Sequence, residues 1–366
     1  MTALDRRIAP TDAPTSDAPT SDAEAWDSFV ESHEPGSYLQ LSGWAAVKAV
    51  NGWTAQRLAS DATIGAQILV RRPKPLPWGF AYAPRGPVAT TWSADEIAAF
   101  TDLVRARLPT IAGRVSHLRI DPEIEVDAGP DAEGAVRRAF DGAGWRTATP
   151  VQPASTRVID LRADEDALFG DLRKKWRQYV NKAGNSGVVV VEADGDRLSD
   201  FYRIYRDTAD RAGFLIRTEQ AYRDVWEAFR PGGRARLLFA QGPDGEPLAT
   251  LFLVRCGTRV VEPYGGMTPA GAESRANYLL KWEAIRSSRE EGATSYDLWG
   301  LATGGIAHFK TGFGGREVRY IGAYDLTLDT RGRAVYEGAV RARVAWARRR
   351  HGLSGGGSAA AYRGAD

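Results

Sequence analysis

The chain has 366 residues, 43% hydrophobic and 26% charged, and its 48 basic against 46 acidic side chains leave a formal charge of +2. This length and balance predict an ordinary soluble protein of two globular modules and exclude a polycation, so any attraction to phosphate has to be local. A lone cysteine, Cys256, excludes an internal disulfide and a thiolate zinc cluster, and His33, His117, His308 and His351 are too scattered to predict a metal site. The first thirty residues hold no signal-type apolar core and no apolar run is long enough to span a bilayer, which predicts a cytoplasmic chain without a transmembrane segment.

Residues 1–23 carry a short repeat of Thr, Asp, Ala, Pro and Ser that cannot bury apolar surface, and residues 352–366 are rich in glycine, serine and alanine; both read as disordered tails. Alternating runs at Thr54–Ala59, Ile64–Arg71 and Gly79–Ala83 predict strands, Ala94–Leu108 an amphipathic helix, and Val115–Ile120 a returning strand. Helical spacing covers Asp164–Ala183, Arg197–Ala212 and Thr218–Phe229. Arg234–Ala240 and Leu248–Arg255 then flank the hairpin signal Pro243-Asp244-Gly245, followed by strand Arg259–Tyr264, helix Ser274–Glu291 and strand Ser295–Trp299. Strand Ile321–Leu328 and helix Arg331–Arg350 close the chain, the helix packing back on the first module through Val335, Val340 and Val344.

Antiparallel strands, a helix and a returning strand follow one another in both halves, the order of a GNAT-type acyltransferase. The sequence therefore predicts an α/β protein of two tandem GNAT-like domains with a cleft between them, 24–152 plus 322–351 and 153–321.

Two segments carry chemistry. Arg173, Lys174, Lys175, Arg177 and Lys182 put cations around most of a helix, with Trp176 and Val180 turned inward. Such crowding costs a helix a few tenths of a kcal/mol per like-charged pair, which bound phosphates would offset, so this is a candidate RNA dock. The stretch from Tyr296 to Gly315 runs a strand into a glycine-rich loop and on to one lysine, Lys310, among apolar residues. A cation there suits an oxyanion or a phosphate.

Tyr296-Asp297-Leu298-Trp299-Gly300, then Gly305-Ile306, then Phe309-Lys310 and a following aromatic resemble the C-terminal signature of the FemABX aminoacyltransferases. Gln40 to Lys48, Phe80 to Val88, Leu118 to Pro122 and Arg211 to Arg217 resemble further stretches of that family, so the likeness runs from about Gln40 to Tyr324. The resemblance implies an aminoacyl-tRNA donor and a peptidoglycan-precursor acceptor, UDP-MurNAc-pentapeptide or lipid II, in a compact, monomeric type without the long helical arm. It makes Lys310 and Phe309 catalytic, and Lys48, Arg217, Tyr264, Trp44 and Asp297 substrate-binding, Lys48 and Arg217 holding a diphosphate. Taken by itself, Asp297 reads more readily as a buried strand-end carboxylate bonded to backbone than as a group that orients the cleft, and His308 is a weaker choice of general base.

A coenzyme A site would need Arg or Gln ahead of a Gly-x-Gly turn, and Gly265 to Gly271 has neither at that spacing, so no cofactor is predicted. The alternative acceptor is an amine of a peptide antibiotic, for which Lys310 would serve as well.

Overall fold

The computed structural model describes residues 20–60, 63–301 and 305–351, with side chains described from 22 to 342. The chain divides into two compact units, Met1–Gln152 with Tyr320–Asp366, and Pro153–Arg319. The tails expected at 1–23 and 352–366 lie outside the described residues except for 20–23, which are helical.

The chain enters through helices α1 (Thr20–Glu31) and α2 (Ser42–Ala49), then β1 (Thr54–Ser60), β2 (Ile64–Arg71), β3 (Gly79–Ala83) and the short β4 (Val88–Ala89). Helix α3 (Ala94–Ala112) leads to β5 (Val115–Ile120), α4 (Ala135–Gly142) and β6 (Arg146–Ala148). The second unit opens with β7 (Ser155–Asp160), α5 (Glu165–Asp171), α6 (Lys174–Asn185), β8 (Val189–Ala193), α7 (Leu198–Ala212) and α8 (Glu219–Phe229). It continues through β9 (Ala235–Gln241), β10 (Pro247–Cys256), β11 (Arg259–Met267), α9 (Pro269–Ser274) and α10 (Ala276–Glu290) to β12 (Ser295–Asp297), α11 (Gly305–Thr311) and β13 (Arg316–Arg319). The chain returns to the first unit as β14 (Ala323–Thr327) and α12 (Thr330–His351).

Each unit is built on one twisted sheet. In the first the order is β1-β2-β3-β5-β14-β6, with β4 on β2, and in the second β13-β7-β12-β11-β10-β9-β8. Within both, three antiparallel strands lead through a helix to a strand that pairs in parallel, β3 with β5 and β11 with β12. This is the predicted GNAT order. Helix α3 forms because Ser93 and Glu96 make a reciprocal capping box and because Ile97, Phe100, Val104 and Leu108 recur at helical spacing, all fully buried on the sheet.

Three expectations change. Asp164–Ala183 is two helices, because Leu172 and Arg173 are extended and the Arg173 N–H bonds the Gly312 carbonyl at 2.9 Å. Ser274–Glu291 is broken at Arg275, whose φ of +64° ends α9 and starts α10. The last helix does dock on the first sheet, yet Val335 is exposed and the Val344 side chain is not described; Tyr336 makes the contact instead, its ring 5.4 Å from Phe80 and 4.6 Å from His117. Among the described residues no helix is long and apolar enough to cross a membrane.

The Gln40 that opens the first sequence motif is wholly buried and structural. Its amide donates to the Pro84 carbonyl at 2.8 Å and accepts the Gln67 N–H at 2.7 Å, tying the chain before α2 to β2 and to the loop after β3. A Cβ on Gly86 would lie 2.7 Å from that amide, which is why the loop carries glycine there. Gln40→Ala leaves a buried donor and acceptor unpaired, and we expect about 2 to 4 kcal/mol loss of stability by urea unfolding.

Candidate active site

Strand β12 ends on Asp297, whose carboxylate is completely buried. It accepts a hydrogen bond from Thr156, pairs with Arg259, and takes the Trp299 N–H at 2.7 Å. That last bond closes a tight turn in which Trp299 has a φ of +55°, a left-handed conformation costly for a residue of its bulk. The turn sends two successive carbonyls the same way, and both meet one cation: the Lys310 ammonium donates to Trp299 O at 3.0 Å and to Gly300 O at 2.9 Å. Two of its three N–H groups are thereby fixed, and the third is left for another acceptor.

Lys310 sits on α11, and α11 is tied down at its end. Trp176 Nε1 donates to the Phe309 carbonyl at 3.0 Å, and a Cβ on Gly312 would lie 2.3 Å from the Trp176 indole, so only glycine lets α6 come this close. Phe309 packs edge-on against Tyr278 and Phe313, each with centroids 5.1 Å away. Although the residue keeps part of its surface open, protein crowding around the ammonium, and then the charge of Lys281, lower the Lys310 pKa to about 8.

Beneath α11 lies a second cation. Lys281 of α10 is buried, paired with Glu262 of β11, and Glu262 also accepts from the Tyr296 hydroxyl at 2.8 Å. In a regular strand Glu262 and Tyr264 would share a face. The β10–β11 register slips between Phe252 and Val254, however, and the resulting bulge at Pro263 turns them to opposite sides. Glu262 faces α10, whereas Tyr264 joins Tyr222 at 5.0 Å and Tyr205 at 6.0 Å under α7 and α8. Arg217 reaches this second group: its N–H donates to the Tyr222 hydroxyl at 3.1 Å and its charge opposes the effect of burial, which raises the pKa of both Tyr205 and Tyr222.

The predicted residues thus fall into distinct sets. Lys310, Phe309 and Asp297 converge, but Asp297 holds the turn from inside and is too deeply buried for the substrate contact expected of it. Arg217 and Tyr264 form a separate group on the other face of the same sheet. Trp44 and Lys48 belong to the first unit, where both are buried on α2 with the Lys48 ammonium 5.4 Å from the Trp44 ring. Of the basic residues, Arg173, Lys174, Lys175 and Lys182 are exposed. Arg177 is half-buried and turns one guanidinium nitrogen back onto the Leu172 carbonyl at 2.6 Å, closing the end of α5. Arg173 lies beside the His308 ring at 3.3 Å and donates to Thr311 at 3.1 Å, which brings the basic end of α6 next to the helix of Lys310. His308 faces Arg173 and Trp176 rather than the Trp299 turn. Residues 302–304 of the glycine-rich loop lie outside the described residues.

Asp297→Ala removes one charged partner of the buried Arg259 and releases the Trp299 N–H. We expect a loss of about 3 to 5 kcal/mol in chemical denaturation, as for removal of one partner of a buried pair.

The FemAB family model matches residues 21–243 and 233–338. A lipid II:glycine glycyltransferase of Staphylococcus saprophyticus is 30% identical over 382 residues, spanning 84% of this chain and 92% of the relative. A lipid II:glycine glycyltransferase of Staphylococcus aureus is 29% identical over 231 residues, 61% of this chain and 54% of the relative. The crystal structure of FemX superposes with a TM-score of 0.76 at 22% identity, covering 86% of this chain and 97% of that one. The strand order and these matches agree, and the chain belongs to the FemAB family, folded as two tandem GNAT-like domains.

Proposed function

We propose that the chain is an aminoacyltransferase that moves an amino acid from aminoacyl-tRNA to an amine of a peptidoglycan precursor stem peptide, carried by UDP-MurNAc-pentapeptide or lipid II. The observation that carries this reading is the Lys310 ammonium, fixed by the Trp299 and Gly300 carbonyls beside Phe309 with one N–H to spare. The relatives named lipid II:glycine glycyltransferases support the acceptor class. The exposed cations Arg173, Lys174 and Lys175 next to α11 support a polyphosphate donor.

In this reaction the acceptor amine attacks the ester carbonyl carbon. A C–N bond forms and the carbonyl π pair moves onto oxygen; collapse of the tetrahedral intermediate expels the 3′-oxygen of the terminal adenosine, which leaves with the proton given up by the amine. Negative charge grows first on the carbonyl oxygen and then on the leaving oxygen. The third N–H of Lys310 stabilises that charge in a site partly shielded from water, where such a contact contributes on the order of 3 kcal/mol. In this proposal Arg217 and Tyr264 of the second unit contribute to binding the acceptor's diphosphate, and Lys48 of the first unit keeps the acceptor-binding role that the family resemblance implies.

The full chain incubated with a mixture of radiolabelled aminoacyl-tRNAs and either UDP-MurNAc-pentapeptide, lipid II or a peptide-antibiotic amine is expected to yield a mass-identified peptide product with a cell-wall precursor. Lys310→Met should lower the rate by roughly a hundredfold or more while the circular dichroism spectrum stays unchanged. A product with the antibiotic amine alone refutes the acceptor assignment.

The acidity of Lys310 fixes the pH dependence. The acceptor amine must itself be neutral to attack, which raises the rate with pH in every variant, so the readout is the wild-type rate divided by that of Lys310→Arg, whose charge persists. Because protonated Lys310 donates the third hydrogen bond, this ratio should hold below about pH 8 and fall roughly tenfold per unit above it. A ratio that climbs through that region shows instead that neutral Lys310 removes a proton from the nucleophile.

A further inference from the structure

The Lys281–Glu262 pair is an expensive feature in its surroundings. Both side chains are buried, and the core around them is built of Leu251, Leu253, Trp282, Tyr296 and Phe313. An ion pair there is weak as a stabilising device, since two apolar residues of like volume serve a core as well or better. Its position is specific, however. The Lys281 ammonium lies 5.4 Å from the Phe309 ring centroid and 5.7 Å from that of Phe313, the residues that flank Lys310 on either side in sequence. Glu262 is held from below by the Tyr296 hydroxyl, so the pair cannot swing away from that position without breaking a second buried bond.

Lys310 faces a defined set of charges. Lys281 approaches from α10, Glu262 from β11 and Asp297 from β12, the last compensated by Arg259. On its own helix, His308 is directed to Arg173. After loss of hydration, the like charge of Lys281 is the largest influence on the Lys310 ammonium, and Glu262 opposes it. A like charge nearby makes the Lys310 ammonium a more acidic and therefore stronger hydrogen-bond donor to an oxygen gaining negative charge, while the opposing Glu262 limits loss of its proton.

We infer that Lys281 and Glu262 are positioning residues for the transfer reaction: the buried pair pins the Phe309–Lys310–Phe313 segment through its rings and sets the electrostatic field at the Lys310 ammonium. The inference rests on the assignment of Lys310 to aminoacyl transfer, and extends it to two residues that touch no substrate.

The test measures Lys310 itself. The full chain, labelled with carbon-13 at lysine Cε, is titrated by NMR, the Lys310 signal being identified by its loss in Lys310→Arg; the pH dependence of amino acid transfer is measured in parallel. Lys281→Met should raise the Lys310 midpoint by about one pH unit or more, and Glu262→Gln should lower it by a similar amount, a tenfold change in proton affinity in opposite directions. Lys281→Arg, which keeps the charge, should keep the wild-type midpoint. Where the rate can be measured, its alkaline limb, taken relative to Lys310→Arg, should move with the NMR midpoint. Midpoints that stay at the wild-type value in folded Lys281→Met and Glu262→Gln, or that shift in the same direction, overturn the inference. Should Lys281→Met not fold, the direction of the Glu262→Gln shift decides alone. Absence of transfer by the wild-type protein refutes the aminoacyltransferase reading separately, since the NMR midpoints need no substrate.

Discussion

One carboxylate sets the geometry on which the second unit's chemistry depends. Asp297, wholly buried at the end of β12, takes the Trp299 N–H and so keeps a tryptophan in a backbone conformation it would not adopt freely. Without that bond the Trp299 and Gly300 carbonyls have no reason to point together, and the Lys310 ammonium has no fixed seat. The carboxylate in turn is affordable inside the protein only because Arg259 and Thr156 satisfy its oxygens. The chain of cause thus runs from a strand-end charge pair to a strained turn, from the turn to two aligned dipoles, and from those to a lysine with one hydrogen free.

The bulge in β11 does complementary work. By turning Glu262 and Tyr264 to opposite sides, one strand supplies a buried acid beneath α11 and an aromatic residue to the tyrosine group around Arg217. A regular strand would have forced a choice between them. Proline at 263, which has no N–H to give to a ladder, fits this irregular position.

Much of the architecture was legible from local pattern. Thr54, Ile64, Gly79 and Val115 each begin a strand where alternation places it, and the β9–β10 hairpin follows from Pro243-Asp244-Gly245. The two helix breaks were not legible, because their causes lie elsewhere in the chain: Arg173 is held by Gly312, far along the sequence, and Arg275 adopts a positive φ that its residue type does not announce. Strands β4, β6, β7, β8 and β13 were also missed: β4, β6 and β13 have two to four residues, too few to show alternation, β7 pairs with strands far along the chain, and β8 is a partly exposed edge strand. In the site, Lys310, Phe309 and Asp297 stand in a recognisable order within one segment. Lys281 and Glu262 carried no such signal, since they are 19 positions apart on a helix and a strand and meet only through the fold. Asp297 has the strand-end role that the sequence already suggested beside the substrate contact implied by the resemblance, whereas its Thr156 and Arg259 partners and the Arg177 bond to the Leu172 carbonyl are revealed only by the hydrogen-bond geometry.

The first unit contains an echo of the Asp297 arrangement. Asp121 directly follows β5, the strand corresponding to β12, is buried, and takes the N–H of Arg85, another bulky residue at a φ of +55°. A single architectural solution, a strand-end acid bracing an awkward corner, therefore occurs in both halves of the duplicated plan, with the Trp299–Lys310 seat built on it in the second. The corner is shared while its occupant differs: in the second unit it seats the Lys310 ammonium on two carbonyls, and in the first the Arg85 guanidinium turns to Glu123.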